Sequence, residues 1–465
     1  MDTKKLRQKI LDLAIHGKLV PQDPNDEPAS VLLERIRAEK EKLIKEGKIK
    51  APKKVKSAGD TSHYPKDVPF EVPEGWVWCN LRDICQIAGR IGFRGYTKAD
   101  LVKRDGAITL SPSNIINGEM DYSRCTYISW AKYNESPEIM VECGDILLVK
   151  TGSSYGKAAL VTTLPQPSTI NPQFVVIKYV GADNRFLNFV LQSNYARKRY
   201  DTFVLGTAIP TFTQEALGNM LIPLPPMEEQ RRIVDHVNNY FQIISSVDSN
   251  QRHIEDSILN TKAKILELAI HGKLVPQDPL DEPAIELLKR INPGFQPSHN
   301  LHYEGALPSG WTLCCLEDIL NYEQPQTYIV NSADYSNDYK TPVLTPGKSF
   351  VLGYTNEEYG ICNRLPVIIF DDFTTESKYV DFPFKVKSSA LKILHARGEI
   401  NLRYVALFMS ITRLAGDTHK RYWISEYSRI PVPIPPLREQ ERIVSAVQLL
   451  FHQLDNLIAG ISNDL

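Results

Sequence analysis

The 465-residue chain lacks long hydrophobic runs and paired cysteine motifs. No stretch of about 18 apolar residues occurs, so the sequence predicts no membrane-spanning helix. The N-terminal segment is charged throughout and has no apolar signal-peptide core, and we therefore expect a cytoplasmic protein. The seven cysteines include no Cys-x-x-Cys pair, and their odd number favours neither a disulfide framework nor a zinc site.

The chain also lacks an excess of charge of one sign. It has 54 Lys and Arg against 55 Asp and Glu, for a net charge of −1. Total charge therefore does not indicate nucleic-acid binding, which needs a local basic surface. One basic tract is present, with ten Lys or Arg and three Glu between Arg35 and Lys56. A solvated charged tail explains this tract equally well.

What the chain does contain is an internal repeat. LDLAIHGKLVPQDP from Leu11 returns as LELAIHGKLVPQDP from Leu266, and PPMEEQRRIV from Pro225 returns as PPLREQERIV from Pro435. The two offsets, 255 and 210, together equal the chain length of 465, so the C-terminus followed by the N-terminus reproduces the uninterrupted central segment. This arithmetic predicts a pseudo-two-fold, circularly permuted repeat that is opened within one repeated element.

The repeated elements have the periodicity of long helices. Apolar residues follow a heptad pattern from Ile233 to Leu268, which predicts a coiled-coil helix of roughly 54 Å. The same register continues through Ile443–Ile461 and then Thr3–Leu13, so we expect the chain ends to lie end to end and to pack on the central helix. Gly17 and Gly272 are predicted to end helices.

Two stretches, 65–225 and 300–433, have a different texture. Short β-branched and aromatic runs, such as those from Asp145, Phe174 and Pro366, are separated by Gly, Pro, Asn and Ser and predict strands. Helical segments such as RFLNFVLQSNYARKRY are interspersed. Beyond a shared Gly-Trp opening the stretches differ in sequence. Two unlike modules on a repeated helical spacer would suit a bipartite asymmetric ligand, such as DNA half-sites about 34 Å apart.

At this point the motifs resemble a known family. The segments IPLPPMEEQRRIV, VPIPPLREQERIV, ILELAIHGKLVPQDP and GDILLVKTGSSYGKAALV, the Gly-Trp openings at Trp76 and Trp311, and the permuted repeat are similar to those of the specificity (S) subunit of type I restriction–modification systems. The resemblance covers essentially the whole chain. It implies a mixed α/β (α+β) fold, with two globular target-recognition domains separated by two long antiparallel conserved helices.

The resemblance and the repeat together give the expected domain boundaries. They are an N-terminal conserved helical region with a basic linker (1–64), the first target-recognition domain (65–225), a central conserved helical region (226–299), the second target-recognition domain (300–433) and a C-terminal conserved helix (434–465). The extra length of the first linker, Glu39 to Asp67, explains a third offset of 235 between the Gly-Trp openings.

The resemblance also implies a function. Each domain would read one half of a bipartite asymmetric DNA target, and the helices would fix the gap between the halves. The expected partners are double-stranded DNA, two methyltransferase (M) subunits that form an adenine-N6 methylase, and two restriction (R) subunits. The chain itself would be non-catalytic and bind no cofactor or metal, with S-adenosylmethionine, ATP and Mg confined to the partner subunits.

Loops that mix Lys or Arg with Ser, Thr, Asn and Gly are the candidate DNA contacts, because cations attract phosphates and small residues let the backbone approach. In the first module the predicted residues are Arg90, Arg94, Lys150, Thr151, Ser153, Ser154, Tyr155 and Lys157, with Thr207, Thr211 and Thr213 as weaker candidates. In the second module they are Lys348, Ser349, Thr374, Thr375, Lys378, Lys420 and Arg421.

Several segments resemble catalytic motifs. Asn171–Phe174 is similar to an adenine methylase motif but has Gln at the third position, so we interpret it as a loop that enters a strand. Gly347–Ser349 is similar to the end of a P-loop, but Pro342 replaces the first glycine. Asp372 and Glu376 are spaced too closely for a nuclease site with Lys378.

Two other interpretations stay open on the sequence. The chain could be a scaffold whose two modules bind proteins and not DNA, or a free-standing enzyme that uses one of the motif-like sites. The incomplete motifs disfavour the enzyme, and the unlike modules with their loop chemistry favour DNA over the scaffold. His16 and His271 recur with the helix ends, where we expect them to hydrogen-bond the last turn.

Overall fold

A computed structural model describes residues 2–49, 68–90, 95–206, 209–297, 306–347, 349–414 and 421–463. The chain forms two compact units, Asp2–Asn250 and Gln251–Leu465, which are called the first and second unit below. Both mix helices with sheets, as predicted. Within the described parts of the chain, no helix combines the length and the apolar character needed to span a bilayer.

Among its described residues, the first unit contains seven complete α-helices and the start of an eighth. Its helices are α1 Thr3–Ile15, α2 Ala29–Lys45, α3 Leu81–Ile84, α4 Trp130–Asn134, α5 Asn184–Gln192, α6 Asn194–Phe203, α7 Gln214–Gly218 and the first part of α8 Met227–Ile270. Its strands are β1 Val77–Asn80, β2 Gln86–Ala88, β3 Leu101–Val102, β4 Ala107–Leu110, β5 Ile115–Ile116, β6 Glu119–Met120, β7 Thr126–Ile128, β8 Met140–Val141, β9 Ile146–Val149, β10 Ala158–Leu160, β11 Ser168–Ile170, β12 Phe174–Lys178 and β13 Leu221–Leu224.

The second unit continues from the last part of α8. Its further helices are α9 Ala284–Ile291, α10 Leu316–Ile319, α11 Leu402–Ile411, α12 Tyr422–Ser425 and α13 Leu437–Asn463. Its strands are β14 Thr312–Cys315, β15 Leu320–Glu323, β16 Thr341–Leu344, β17 Val351–Thr355, β18 Val367–Asp371, β19 Ser377–Val380, β20 Lys385–Val386, β21 Leu391–Ala396 and β22 Pro431–Ile434.

The predicted central helix is α8, which has 44 residues. At 1.5 Å per residue it is about 66 Å long. Heptad residues such as Ile244 and Ile258 are buried, but Tyr240 is 43% exposed and Ile254 is 39% exposed. A straight helix has 3.6 residues per turn and drifts away from a 3.5-residue repeat, so a single stripe cannot stay buried along the whole length.

The permuted repeat is visible as matching contacts inside each unit. In the first unit the Arg7 guanidinium lies 4.7 Å from the centre of the Phe241 ring, which joins α1 to the start of α8. In the second unit the Lys262 ammonium lies 5.1 Å from the centre of the Phe451 ring, which joins the end of α8 to α13. The two cations are 255 positions apart and the two rings 210, the offsets of the sequence repeat.

In the first unit a four-stranded sheet in the order β10-β9-β12-β2 lies between two cores. Side chains alternate along a strand, so Ile146 and Leu148 of β9 face the helices while Leu147 and Val149 face a five-stranded sheet in the order β3-β7-β4-β11-β8. Near the helices, β1 pairs with β13, which brings the beginning and end of the domain together.

The second unit repeats this plan with different sequence. Its four-stranded sheet has the order β15-β21-β18-β19, and β14 pairs with β22. Ile368 and Phe370 of β18 face the helices, while Val367 and Ile369 face a three-stranded sheet in the order β17-β16-β20. The central sheets of both units therefore correspond strand for strand, with β9 matching β18 and β12 matching β21.

Two helices differ from their predicted extents. The helix predicted from Arg185 is interrupted at Ser193, whose backbone is extended and whose hydroxyl accepts a hydrogen bond from the Ala196 amide at 3.2 Å, which begins a new helix. The helix α2 runs to Lys45, into the predicted linker, because Lys40 donates to the carbonyl of Cys85 at 2.8 Å and Arg37 pairs with Asp83 at 3.2 Å.

Candidate nucleic-acid interface

In the first unit most of the predicted DNA contacts lie on the turn between β9 and β10, residues 150–157. This turn is joined to the loop before α7; we call the two segments the first loop pair. The Lys150 carbonyl accepts a hydrogen bond from the Phe212 amide at 3.1 Å, and the hydroxyls of Thr151 and Thr211 are 2.7 Å apart. The Lys150 amide donates to the Gln173 carbonyl at 2.8 Å, which ties the turn to the start of β12.

The second unit contains a comparable arrangement, the second loop pair, in which the turn between β18 and β19 meets the start of α12, with Arg421 at the N-cap of that helix. The Asp372 carbonyl accepts from the Tyr422 amide at 2.9 Å, and the Asp372 amide donates to the Ala390 carbonyl at 3.1 Å. These two bonds repeat those of Lys150. The turn that carries Thr374 and Thr375 therefore has the same place in its sheet as the turn that begins at Lys150, although the two turns share no sequence motif.

The two loop pairs differ in charge at this equivalent position. Lys150 is half-buried, and burial lowers the pKa of its ammonium group. Asp372 is buried; one carboxylate oxygen accepts from the Trp423 amide at 2.9 Å, and the other lies 3.4 Å from the ammonium group of Lys392. The first loop pair thus presents a partly accessible cation where the second contains an internal ion pair.

The turn of the first loop pair is held against α6 by Tyr155. Its hydroxyl donates to the Asp201 carboxylate at 2.8 Å, a bond that raises the pKa of Tyr155, and the Arg197 guanidinium lies 4.3 Å from the centre of its ring. Ser153 and Lys157 are exposed on the same turn. The side chain of Tyr155 therefore positions the turn, while its small and basic neighbours remain accessible.

Arg90 corrects the prediction that it is an accessible loop cation. The residue is 3% exposed, its Nε donates to the Ile170 carbonyl at 2.7 Å, and an Nη donates to the Thr169 hydroxyl at 3.2 Å. The guanidinium is therefore bound at the end of β11 inside the domain. The sequence could not reveal this, because it does not place β11 next to the segment that follows β2. Arg94 and Thr207 lie outside the described residues.

The predicted residues of the second unit fall into three groups. Those that are exposed are Ser349, Thr374, Lys378 and Arg421. Those outside the described residues are Lys348 and Lys420. Thr375 is fully buried, with a left-handed backbone (φ +57°) and a hydroxyl that accepts from the Leu414 amide at 3.2 Å. Its role is to join the turn to the loop after α11, which corrects its prediction as a contact.

The motif-like segments have ordinary structural explanations. Asn171–Gln173 forms the loop that enters β12 at Phe174, as predicted. The Glu376 carboxylate lies 3.2 Å from the Arg413 guanidinium, and Asp372 is paired as described above, so both carboxylates of the nuclease-like segment have partners. Across the described residues, no group of three or more His, Cys, Asp and Glu is placed to hold a metal ion.

The predicted roles of the repeated histidines and glycines are confirmed. The Nδ1 atoms of His16 and His271 lie 2.6 and 2.7 Å from carbonyls of the last helical turns. Gly17 and Gly272 follow with φ of +63° and +65°.

Two basic residues near the loop pairs were missed. Arg197 of α6 is exposed and lies beside the first loop pair, and Arg413 borders the second. The basic run ARKRY was visible in the sequence, but its helix offered no indication of which loop it would contact.

Each domain is anchored to its conserved helix by a buried carboxylate. In the first unit the Trp76 indole donates to Glu229 at 2.9 Å and the Gln22 amide donates to it at 3.1 Å. In the second unit the same contacts, at 3.0 and 3.1 Å, join Trp311 and Gln277 to Glu439. Burial raises the pKa of both carboxyl groups. Each loop pair therefore belongs to a domain that is fixed to its helices.

Comparison with known proteins agrees with this geometry. A family model described as "Type I restriction modification DNA specificity domain" matches residues 73–255 and 308–465. The specificity subunit of the type I restriction enzyme EcoAI from Escherichia coli is 32% identical over 69% of this chain, and that of EcoEI from Escherichia coli is 30% identical over 68%. The chain spans 62% of the length of each of these relatives.

A solved structure has a similar fold. It is a chain from a type I R-M system, studied for complex assembly and conformational transition, and it matches with a TM-score of 0.50 at 17% identity. The match covers 85% of this chain and 95% of that chain. At this level of identity the similarity concerns the fold.

Proposed function

Since the chain belongs to the family of type I restriction modification DNA specificity domains, we propose that it is the sequence-specific DNA-binding subunit of a type I restriction–modification enzyme. It recognises a bipartite asymmetric target, one half with each domain, and has no catalytic site of its own. The observation that carries this proposal is the pair of equivalent backbone arrangements at Lys150 and Asp372, which bear unlike side chains. Equal frameworks with unequal side chains suit two different half-sites.

The proposed DNA contacts are the accessible members of the two loop pairs, together with Lys378 in the adjoining strand β19 and Ser349 in a neighbouring turn. Hydroxyl and cationic groups on these segments can bind phosphates and base edges. They are Lys150, Thr151, Ser153, Ser154 and Lys157 in the first unit, and Ser349, Thr374, Lys378 and Arg421 in the second. Arg90 and Thr375 are buried inside their domains, whereas Tyr155 is partly exposed, so it stays a proposed contact as well as holding its turn in place. Ser349 is included because its turn lies close to the second loop pair. A Cβ added to Gly347, in the same turn, would stand 3.7 Å from the Glu376 carboxylate.

The proposed partners are two methyltransferase subunits, which methylate adenine at N6, and two restriction subunits, which use ATP. S-adenosylmethionine, ATP and Mg would bind to those subunits, and the assembly would act in the cytoplasm. Large apolar side chains are exposed on the conserved helices of both units, with Ile243 at 60% and Leu457 at 59%. Exposed apolar side chains on the conserved helix of each unit suit the binding of a protein partner there.

The predicted domain boundaries and spacer remain part of the proposal. The chain ends are expected to lie end to end, and the repeated helices are expected to set the gap between half-sites. The matching contacts of Arg7 and Lys262 support this expectation, because the sequence offset holds in side-chain packing as well.

Methylome sequencing of the host with and without this gene tests the proposal. Deletion should abolish adenine methylation at one bipartite motif, and the reintroduced gene should restore it. A methylome that is unchanged by the deletion would favour the protein-binding scaffold instead.

A further inference from the structure

The loop that enters β12, residues 171–173, holds the side-chain amide of Gln173 in one orientation. We propose that Gln173 is a base-reading residue of the first domain and that it recognises an adenine. The inference rests on the proposed function and specifies its chemistry at one position. It is carried by Asn171 and Gln173, which hydrogen-bond to each other.

The orientation of both amides follows from one backbone group. The Gln173 backbone N–H can only donate, and it donates to the Asn171 side chain at 3.0 Å, so the facing atom of Asn171 is its oxygen. The other end of the Asn171 amide is therefore the NH₂ group. It lies 3.0 Å from the Gln173 side chain, so the facing atom of Gln173 is its Oε1. Asn171 is buried, which keeps this arrangement in place.

The Nε2 group of Gln173 is consequently turned away from Asn171. Among the described residues, it donates no hydrogen bond to a protein acceptor. The residue is half-buried and lies beside Gly152, where a Cβ would stand 3.1 Å from Nε2. The lack of a side chain at Gly152, whose φ of +96° also favours glycine, leaves the amide uncovered on that side.

An amide fixed in this way presents a donor and an acceptor side by side. Its Nε2 has two hydrogens and its Oε1 has one remaining lone pair. In the DNA major groove adenine offers the complementary pair, with N7 as acceptor and the N6 amino group as donor, and Gln binds both at once. Because Asn171 already holds the Gln173 amide in this orientation, the amide loses no further rotational freedom when it binds the base.

The position of Gln173 within the first loop pair fits this role. Its carbonyl accepts from the Lys150 amide at 2.8 Å, so the amide lies next to a cation that can bind phosphate. The equivalent residue of the second loop pair is Ala390, whose carbonyl accepts from Asp372. Alanine has no amide, so we expect adenine reading of this kind in one half-site and not in the other.

Substitution of Gln173 in the chromosomal gene, followed by methylome sequencing, tests the inference. Gln173→Glu keeps the acceptor for Asn171 but has no donor, so the preference at one position of one half-site should change from adenine to cytosine. Gln173→Ala should lower discrimination at that position by roughly 5- to 150-fold. The control is Gln86→Ala. Gln86 pairs with Lys178 at the far end of β12, about 13 Å along the strand.

If a variant abolishes methylation, the tagged complex can instead be used to capture duplexes from a randomised DNA library. Sequencing the captured duplexes gives the base preference of the variant directly. A motif that is unchanged in both Gln173 variants would overturn the inference, as would a change in both half-sites or an equal loss for all bases. If the wild-type strain and the deletion strain share one methylome, the proposed function fails, and this inference fails with it for that separate reason.

Discussion

At the scale of single residues, Lys150 shows how the fold modifies a side chain that the sequence presents as an ordinary loop lysine. Its backbone N–H and carbonyl bind Gln173 and Phe212, and the resulting burial lowers the pKa of its ammonium group. A nearby phosphate would favour the protonated form and raise the pKa again in the complex. At pH values between the lowered pKa of Lys150 in the free protein and its higher pKa in the complex, DNA binding should therefore be accompanied by the uptake of a proton.

This coupling predicts a pH-dependent affinity. Because binding takes up a proton, affinity should fall as pH rises from neutral towards the ordinary lysine range near 10.5. Lys150→Arg stays charged and should flatten the profile, whereas Lys157→Arg on the same exposed turn should leave it as in the wild type. Equilibrium binding of the assembled complex to its target at several pH values measures this. If the affinity of Lys150→Arg depends on pH in the same way as that of the wild type, Lys150 is not a phosphate contact.

The chemistry of the candidate DNA contacts did not by itself predict which of their side chains are accessible and which are buried. Ser153 and Lys378 are exposed as expected, but Arg90 and Thr375 are internal. The sequence gives the chemistry of a loop residue, whereas burial depends on which strand or loop lies beside it. For Arg90 that neighbour is the end of β11, about 80 residues further along the chain.

At the scale of elements, local sequence predicted well wherever the stabilising contacts are local. The helix α8, the strands β9, β12 and β18, and the glycine-ended helices follow from periodicity and backbone preference. The break at Ser193 and the extension of α2 to Lys45 were not predicted. The first depends on a single capping hydroxyl, and the second on contacts with α3, which is distant in sequence.

The helix end at Gly272 offers a quantitative test of these element boundaries. Gly272 has φ +65°, and a Cβ there would collide with Pro308, so Gly272→Ala should lower the free energy of unfolding by about 1–3 kcal/mol. Gly460 of α13 has open space around its Cβ position, so Gly460→Ala should be neutral or stabilising by about 0.5–1 kcal/mol. Chemical denaturation compares both variants in the same unit. Equal effects would mean that Gly272 does not determine the helix end.

At the scale of the whole molecule, the offsets of the repeat predicted more than any single motif. They predicted a two-fold repeat, and the equivalent contacts of Glu229 and Glu439 with their tryptophans show this repeat in the packing of the two units. The equivalence of the two loop pairs could not be predicted, because Lys150 and Asp372 share no sequence motif. The order of strands in the two sheets and the matching backbone hydrogen bonds relate them.

Each loop pair is proposed to read its own half of one DNA target. Methylome sequencing of two strains tests this most directly, one with Ser153→Ala and Ser154→Ala, the other with Thr374→Ala and Arg421→Ala. We expect the first strain to relax the motif in one half-site only and the second strain in the other half-site only. Changes that fall in the same half-site, or an intact and fully methylated motif in both strains, would contradict the account.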